Sequence, residues 1–522
     1  MQTSVFYWIP TVTFFWFIVI GISGVLALTF IAYQKRGESQ TLDGFFLGGR
    51  NIGADLSGQI SWGSSFSLAN GLAYFAYLGY FHGLSAIWFQ LPWCASIYFM
   101  AWKLPRYLEA TDRFTVHSFL GSWFGGRVRK LAALVTIFGL LGFLAYEINV
   151  SSEIVLSSVG AKQPTNEQAL IILMSLVGAL LVAVFCDLSG YRGVARTDRF
   201  ENRFGAIVCM IFLLIVYLYM PFDRKLISSD QILSSVGDFS SWSGATIVGI
   251  LCFAFTQNLV DMSRWQTLSA NAIATAKQRK KLSTKLKLSA VWTFIFPGIA
   301  GTFFGYLAKG SSIEGNEAIA ILFNRTQASF PGHMGGFLFG MIIFGLFCTA
   351  FSTAKNYLIA VCQALRWDIL DFSAIERLRD SKLNQIENRA IVRKARRDLY
   401  YLAFVGILVF IFIRYFIKND NAVFATQFLI AGAVISLAPA TIYALFFKRG
   451  RPNPSDAFDR RTGLFSIGSG YLGGLAVFGW WLGLNQNLDT YAWGPIVSLG
   501  LSTFALLFMI AGRKLLWPAK GR

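Results

Sequence analysis

Apolar residues gather along this chain into runs of roughly 20, the length a helix needs to cross the hydrocarbon core of a bilayer. They fall at 10–33, 52–80, 82–102, 128–158, 166–187, 200–221, 242–262, 286–308, 334–365, 398–417, 421–447, 462–484 and 491–512. The pattern predicts an all-α, polytopic membrane protein of about 13 transmembrane helices, numbered here as spans 1 to 13. An odd number puts the two ends on opposite sides. The least regular part is spans 2 and 3, where the connection at Tyr80–Gly83 is tight.

Two spans break the apolar pattern. Span 2 reads SGQISWGSSFSLANG over residues 57–71, with five serines, three glycines, a Gln and an Asn and no continuous apolar face. An interruption at Gly63–Ser65 would free backbone carbonyls for a cation and amides for a solute, as discontinuous helices do at transporter binding sites. The competing reading is a continuous helix packed through small residues. Span 9 carries Lys355 as the single charge between Met334 and Leu365. It lies eleven residues before Arg366, roughly 16 Å along a helix, too deep to reach the interface easily, so it calls for a partner or a hydrated cavity. Thr349, Ser352, Thr353 and Asn356 share its arc, and hydroxyl oxygens suit a hard cation. The carboxylates on offer are Asp198 at the inner edge of span 6, Glu147 and Glu153 in span 4, and Asp261 at the end of span 7; Asp55 and Asp187 sit near interfaces.

Composition agrees with the spans. Of 522 residues, 55% are hydrophobic and 14% charged, against about 25% charged in soluble domains. The net charge of +19 raises nucleic acid as a partner, but its distribution argues otherwise. With the N-terminus outside, segments on the inner side hold 38 Lys and Arg, those on the outer side hold 7, and Lys355 is the remaining one. That bias is the positive-inside rule. The expected orientation is N-terminus out and C-terminus cytoplasmic, with the charge setting topology rather than binding nucleic acid. Residues 367–397 read as a charged helix at the cytoplasmic surface. Three scattered histidines make no metal cluster, the six cysteines sit in apolar runs with no CxxC spacing, and no nucleophile elbow or phosphate-cradling loop accompanies the intramembrane polar residues. An enzyme is not expected.

Four stretches in register carry a family resemblance: FFLGGRNIG (45–53), GVARTD (193–198), AFSTAKN (350–356) and GAVISLAPATIYALFFKRG (432–450). Together they resemble the solute:sodium symporter family, with Phe447 where the last motif usually has Trp. The resemblance implies the leucine-transporter fold, two inverted five-helix repeats in spans 2–6 (within 52–225) and 7–11 (within 226–450). These are flanked by an N-terminal extra helix with the first loop (1–51) and two C-terminal helices (451–522). It implies a secondary active transporter, sodium-coupled and working by alternating access, with no cofactor beyond Na+ as the co-transported ion; the short basic loops and the lack of organelle signals point to a bacterial inner membrane. By position, the main sodium site falls on the carbonyls of Gly63, Phe66 and Thr349 and the hydroxyls of Ser352 and Thr353. Asp198 matches an aspartate on the ion path, and Lys355 stands where some members hold a further sodium.

A fixed ammonium paired with Asp198, Glu147 being the main competitor, leaves two mechanisms. In one, Lys355 is an internal counter-ion and a single sodium is coupled. In the other, the pair carries protons, making transport proton-coupled or ion-independent. The first is preferred because the hydroxyl pair is retained. A symporter-like sensor is the further alternative and needs a separate signalling partner. TQNLVDMSRWQTLSAN (256–271) resembles the branch with urea and polyamine carriers, with Thr267 in place of its Arg. Solute-binding candidates by location are Gln59, Gln90, Glu147, Asn149, Gln257, Asp261 and Gln427. Glu147 without an opposing Arg in the same spans favours a small polar solute that is neutral or cationic.

Overall fold

The computed structural model describes residues 9–34, 36–111, 114–158, 167–219, 229–272, 275–309, 318–373, 385–416, 432–448, 456–484 and 492–516. Among these, every regular element is a helix. Eight helical runs are long and apolar enough to cross a bilayer. One of them, Glu167–Tyr219, is two helices joined at Gly190 and accounts for both span 5 and span 6. Gln385–Phe416, residues 432–447 and Ala457–Leu484 supply helix in spans 10, 11 and 12. Helix therefore occupies each of the thirteen predicted runs, at least in part, and the chain is a polytopic all-α membrane protein.

The joints follow from local chemistry. Gly190 has φ 56° and ψ −166°, where a Cβ would crowd the backbone of Phe45, so only glycine serves there. Span 2 stops at Gly63 and resumes with a π-helical turn at Leu68–Ala73 leading into Tyr74–His82. Ser67, extended at φ −92° and ψ 149°, caps the second piece by accepting from the Asn70 amide. Span 7 breaks at Asp261, whose carboxylate accepts from the Ser263 amide and so starts a new helix, Met262–Ser269. Span 8 carries Pro297 inside a π-helical turn at Phe294–Gly301 that absorbs the missing amide.

Two boundaries in particular differ from the sequence expectation. Span 7 runs on to Ser269, because an N-cap aspartate restarts the helix where the apolar pattern fades. Span 10 begins at Gln385, as a basic amphipathic stretch continuous with the apolar one. Residues 385–397 of the surface helix expected at 367–397 are thus the start of span 10, and 367–370 close span 9. Part of that stretch lies outside the described residues.

Span 1, Ile9–Tyr33, lies at the edge and leaves Phe15, Ile22, Leu26 and Phe30 more than half exposed, as a lipid-facing helix should. Toward the other end of the bundle, Asp368 at the close of span 9 accepts from Thr115 Oγ1 (2.9 Å) and Ser118 Oγ (2.6 Å) and meets His117 Nδ1 at 2.8 Å. These bonds tie the helix Val116–Phe124 to span 9.

The C-terminal halves of spans 2 and 8 touch backbone to backbone: a Cβ on Gly305 would overlap the Ala76 carbonyl, and one on Gly79 the Thr302 carbonyl. Neither obstacle is a side chain that can swing away. Gly305→Val is therefore expected to destabilise the protein by about 1–3 kcal/mol or more, read as a lower unfolding temperature in detergent. Replacement of the open Gly126 by Ala should leave that temperature nearly unchanged.

Candidate functional site

A helix broken inside a membrane leaves carbonyls without partners at one end and amides at the other, each costly where water is scarce. In span 2 a buried acidic or basic side chain sits at each end. Glu147, from span 4, takes the amide end: Oε1 accepts from the amides of Leu68 (3.0 Å) and Ala69 (3.2 Å). Its Oε2 accepts from Asn70 Nδ2 (2.7 Å), the Asn70 amide (3.4 Å) and Ser67 Oγ. Arg264, from the second half of span 7, takes the carbonyl end. Its Nη1 donates to the carbonyl and hydroxyl of Ser61, its Nη2 to Ser65 Oγ, and its Nε to Asn258 Oδ1 at 3.2 Å. Anion at a helix N-terminus and cation at a C-terminus are the favourable signs.

Beside this break, span 9 brings up its hydroxyls. Thr353 Oγ1 lies 3.2 Å from the Gly63 carbonyl and 3.2 Å from the Thr349 carbonyl. Ser352 is fully buried, and its hydroxyl makes no hydrogen bond of good geometry among the described residues. Phe66 lies in the unwound stretch between the two helices of span 2, its ring stacked on Trp62. Three of the five expected sodium ligands, Gly63, Thr349 and Thr353, are thus joined by one hydroxyl. Neutral hydroxyl and carbonyl oxygens in a small space suit a hard monovalent cation.

Two residues further along span 9, Lys355 is wholly buried and meets span 6. Its Nζ lies 2.8 Å from both oxygens of Glu201, 2.6 Å from Thr197 Oγ1 and 3.4 Å from Asp198 Oδ1. Asn356 Nδ2 donates to Asp198 Oδ2 at 2.7 Å. The expected Lys355–Asp198 pair is therefore a triad in which Glu201, absent from the sequence expectation, is the closer carboxylate. Thr197, Asp198 and Glu201 stand at i, i+1 and i+4, so Thr197 and Glu201 share one helix face. That spacing was the available signal. Glu147, the competing partner, is engaged at span 2 instead.

A cavity of about 60 Å³ opens at the break. Ser64, Ser65, Asn70 and Gln90 are its polar lining, and Tyr74, Phe75, Phe89, Trp93, Phe143, Phe253 and Tyr357 its aromatic lining. Of the solute candidates, only Gln90 lines it directly, with Nε2 donating to the Thr293 carbonyl at 3.2 Å. Glu147 stands behind Asn70, and Asp261 caps its own helix. Gln59 lines a separate cavity of about 100 Å³ together with Asp55, Arg199 and Arg203. Asn149 and Gln257 are buried but line neither cavity, and the Gln257 amide makes no hydrogen bond among the described residues. Gln427 lies outside the described residues.

Arg264 overturns the premise that no arginine opposes Glu147. Reading span 7 as ending at 262 had placed it in a basic loop. In the stretch that resembles urea and polyamine carriers, Trp265 Nε1 donates to the Leu259 carbonyl and Gln266 Nε2 to the Phe46 carbonyl, both at 2.9 Å. These residues hold the restart of span 7 and do not line the cavity.

No family model matches this chain, and no curated protein matches its sequence. Its structure is similar to that of a Na+-coupled sialic acid symporter in a substrate-bound, outward-open state. The similarity covers 97% of this chain and 99% of that one, with a TM-score of 0.71 and 14% sequence identity. At that identity the likeness is one of fold: the chain has the leucine-transporter fold, over nearly its whole length.

Removing the ammonium from the triad leaves two carboxylates buried together. Lys355→Met is expected to lose about 3–5 kcal/mol of stability. Adding Glu201→Gln should restore roughly 1–3 kcal/mol through coupling between the two sites. A double-mutant cycle by thermal unfolding in detergent measures both. Strictly additive losses would contradict a direct pairing.

Proposed function

We propose that this protein is a sodium-coupled secondary active transporter that carries a small polar solute by alternating access. The observation behind it is the meeting of Gly63, Thr349 and Thr353 around one hydroxyl beside a broken span 2, with the cavity on the same break. A cation drawing on those oxygens ties the inner half of span 2 to span 9, while a solute at Ser64–Asn70 touches the unwound stretch between the two halves. Ion and solute thus act on one joint, which is how binding of one favours binding of the other. The similar symporter is itself Na+-coupled, which supports sodium as the ion. Its sialic acid is not carried over to this chain, whose cavity is small and has no basic residue in its lining.

For the solute, the two ends of the break are already neutralised by Glu147 and Arg264, so neither is left to bind an ionic group. An uncharged solute with an apolar or ring face fits the aromatic lining; Arg264 behind Ser65 disfavours a cationic one. Lys355 serves as an internal counter-ion to Glu201 and Asp198. The bacterial inner membrane, an external N-terminus and repeats within 52–225 and 226–450 complete the proposal, resting on the charge bias and the family resemblance.

Two measurements test the ion assignment. In proteoliposomes with an imposed sodium gradient, labelled solute should accumulate against its own gradient. Thr353→Ala should raise the sodium concentration for half-maximal uptake by about tenfold or more, each decade being ~1.4 kcal/mol. Uptake that ignores sodium would refute the coupling. The neutral exchange Lys355→Ser with Glu201→Gln leaves Asp198 unpaired and should steepen the sodium dependence. Unchanged sodium dependence with a lost pH dependence would favour proton coupling through the triad.

A further inference from the structure

A cavity larger than the one at the break lies elsewhere among the described residues. It holds about 390 Å³ and lies between span 1, span 4, span 5 and span 9. Its walls are almost wholly apolar, and its rim is made of residues that face lipid: Ile22, Leu26 and Val177 are 58%, 64% and 46% exposed. The polar residues that touch it are spoken for. Ser151 and Ser152 donate back to the carbonyls of Glu147 and Ile148, and the Glu147 carboxylate is engaged at Ser67–Asn70. With the hydroxyl protons of Ser151 and Ser152 given to the helix backbone, few polar partners remain for water, which needs two to four in a buried site. Left empty, a void of this size would forfeit the dispersion contacts of every residue around it.

Two glycines keep it open. A Cβ on Gly21 of span 1 would meet nothing within 4 Å, and one on Gly178 of span 5 would meet only Ile148 Cγ2, at an ordinary 3.6 Å. Larger side chains would fit both positions, so close helix packing is not what calls for glycine there. The back wall is Phe347, Phe351 and Ala354 of span 9, the helix that also carries Ser352, Thr353 and Lys355.

We infer that this crevice is a binding site for one acyl chain of a membrane phospholipid, inserted from the bilayer between span 1 and the bundle. The occupant follows from the surroundings: the crevice continues the lipid-facing surface, presents almost no polar surface, and opens where hydrocarbon chains are the solvent. A chain seated there packs against the outer face of span 9, so its site borders the ion-carrying helix without sharing a polar group with it. The inference does not depend on the transport reaction.

The test uses the full-length protein in nanodiscs of a phospholipid that bears a photoactivatable diazirine on its acyl chain, with adducts mapped by mass spectrometry. Adducts are expected within 18–26, 148–155 and 174–182. Adducts confined to outward residues such as Phe15 and Phe30 would overturn the proposal. Gly21→Phe and Gly178→Phe, which fill the crevice, should each cut lipid retained through detergent purification by about tenfold. Leu180→Phe, on the lipid-facing surface outside the crevice, should retain it like the wild type. Equal retention in all of these proteins, or a retained mass that proves to be detergent only, would refute the site. Should a filling variant fail to fold, the adduct map of the wild type decides alone.

Discussion

The structure turns on the two ends of one broken helix. A bilayer does not tolerate free backbone groups, so span 2 can be interrupted only if something replaces the hydrogen bonds it gives up. Glu147 and Arg264 do this with the signs the helix ends prefer, from two other spans. The break is thereby held as a defined joint, with Ser64 to Ser67 between its halves. Span 7 uses a simpler device, an aspartate that caps its own restarted helix. Arg264 follows that cap by three residues, so the geometry of one break positions the charge that stabilises the other.

The buried charges form a second, separate economy. Lys355 sits between Glu201 and Asp198, and none of the three is exposed. Lys355 stands two residues beyond Thr353 on the same helix, and Asn356 ties Asp198 to that helix as well, so the triad fixes span 6 against span 9 beside the hydroxyl pair. Elsewhere in the bundle, where spans 2 and 8 meet, Gly79 and Gly305 bring backbones close enough that dispersion replaces the hydrophobic drive that lipid does not supply.

Much of this was legible in the residues. The spans, the interruption after Gly63 and the arc of Thr349, Ser352 and Thr353 follow from spacing and from the cost of polar groups in hydrocarbon. Lys355 announced itself as an intramembrane charge. Glu201 and Arg264 obey the same rule and were passed over because they border basic stretches, where a charge is ordinarily solvated. A helix continuing past Asp261 is invisible to an apolar-run count, since the restart depends on a side-chain cap and not on hydrophobicity.

By itself, then, the sequence determined the number of spans and where one of them breaks, because those depend on hydrophobic length and on local turn chemistry. Which carboxylate meets which cation was decided only by the tertiary structure. Glu147 had two plausible uses, and its place at the amides of Leu68 and Ala69 depends on how span 4 crosses span 2. The aromatic lining of the central cavity likewise draws on five spans far apart in the chain. Partners that distant are chosen by helix packing, and packing leaves no period in a sequence for the eye to find.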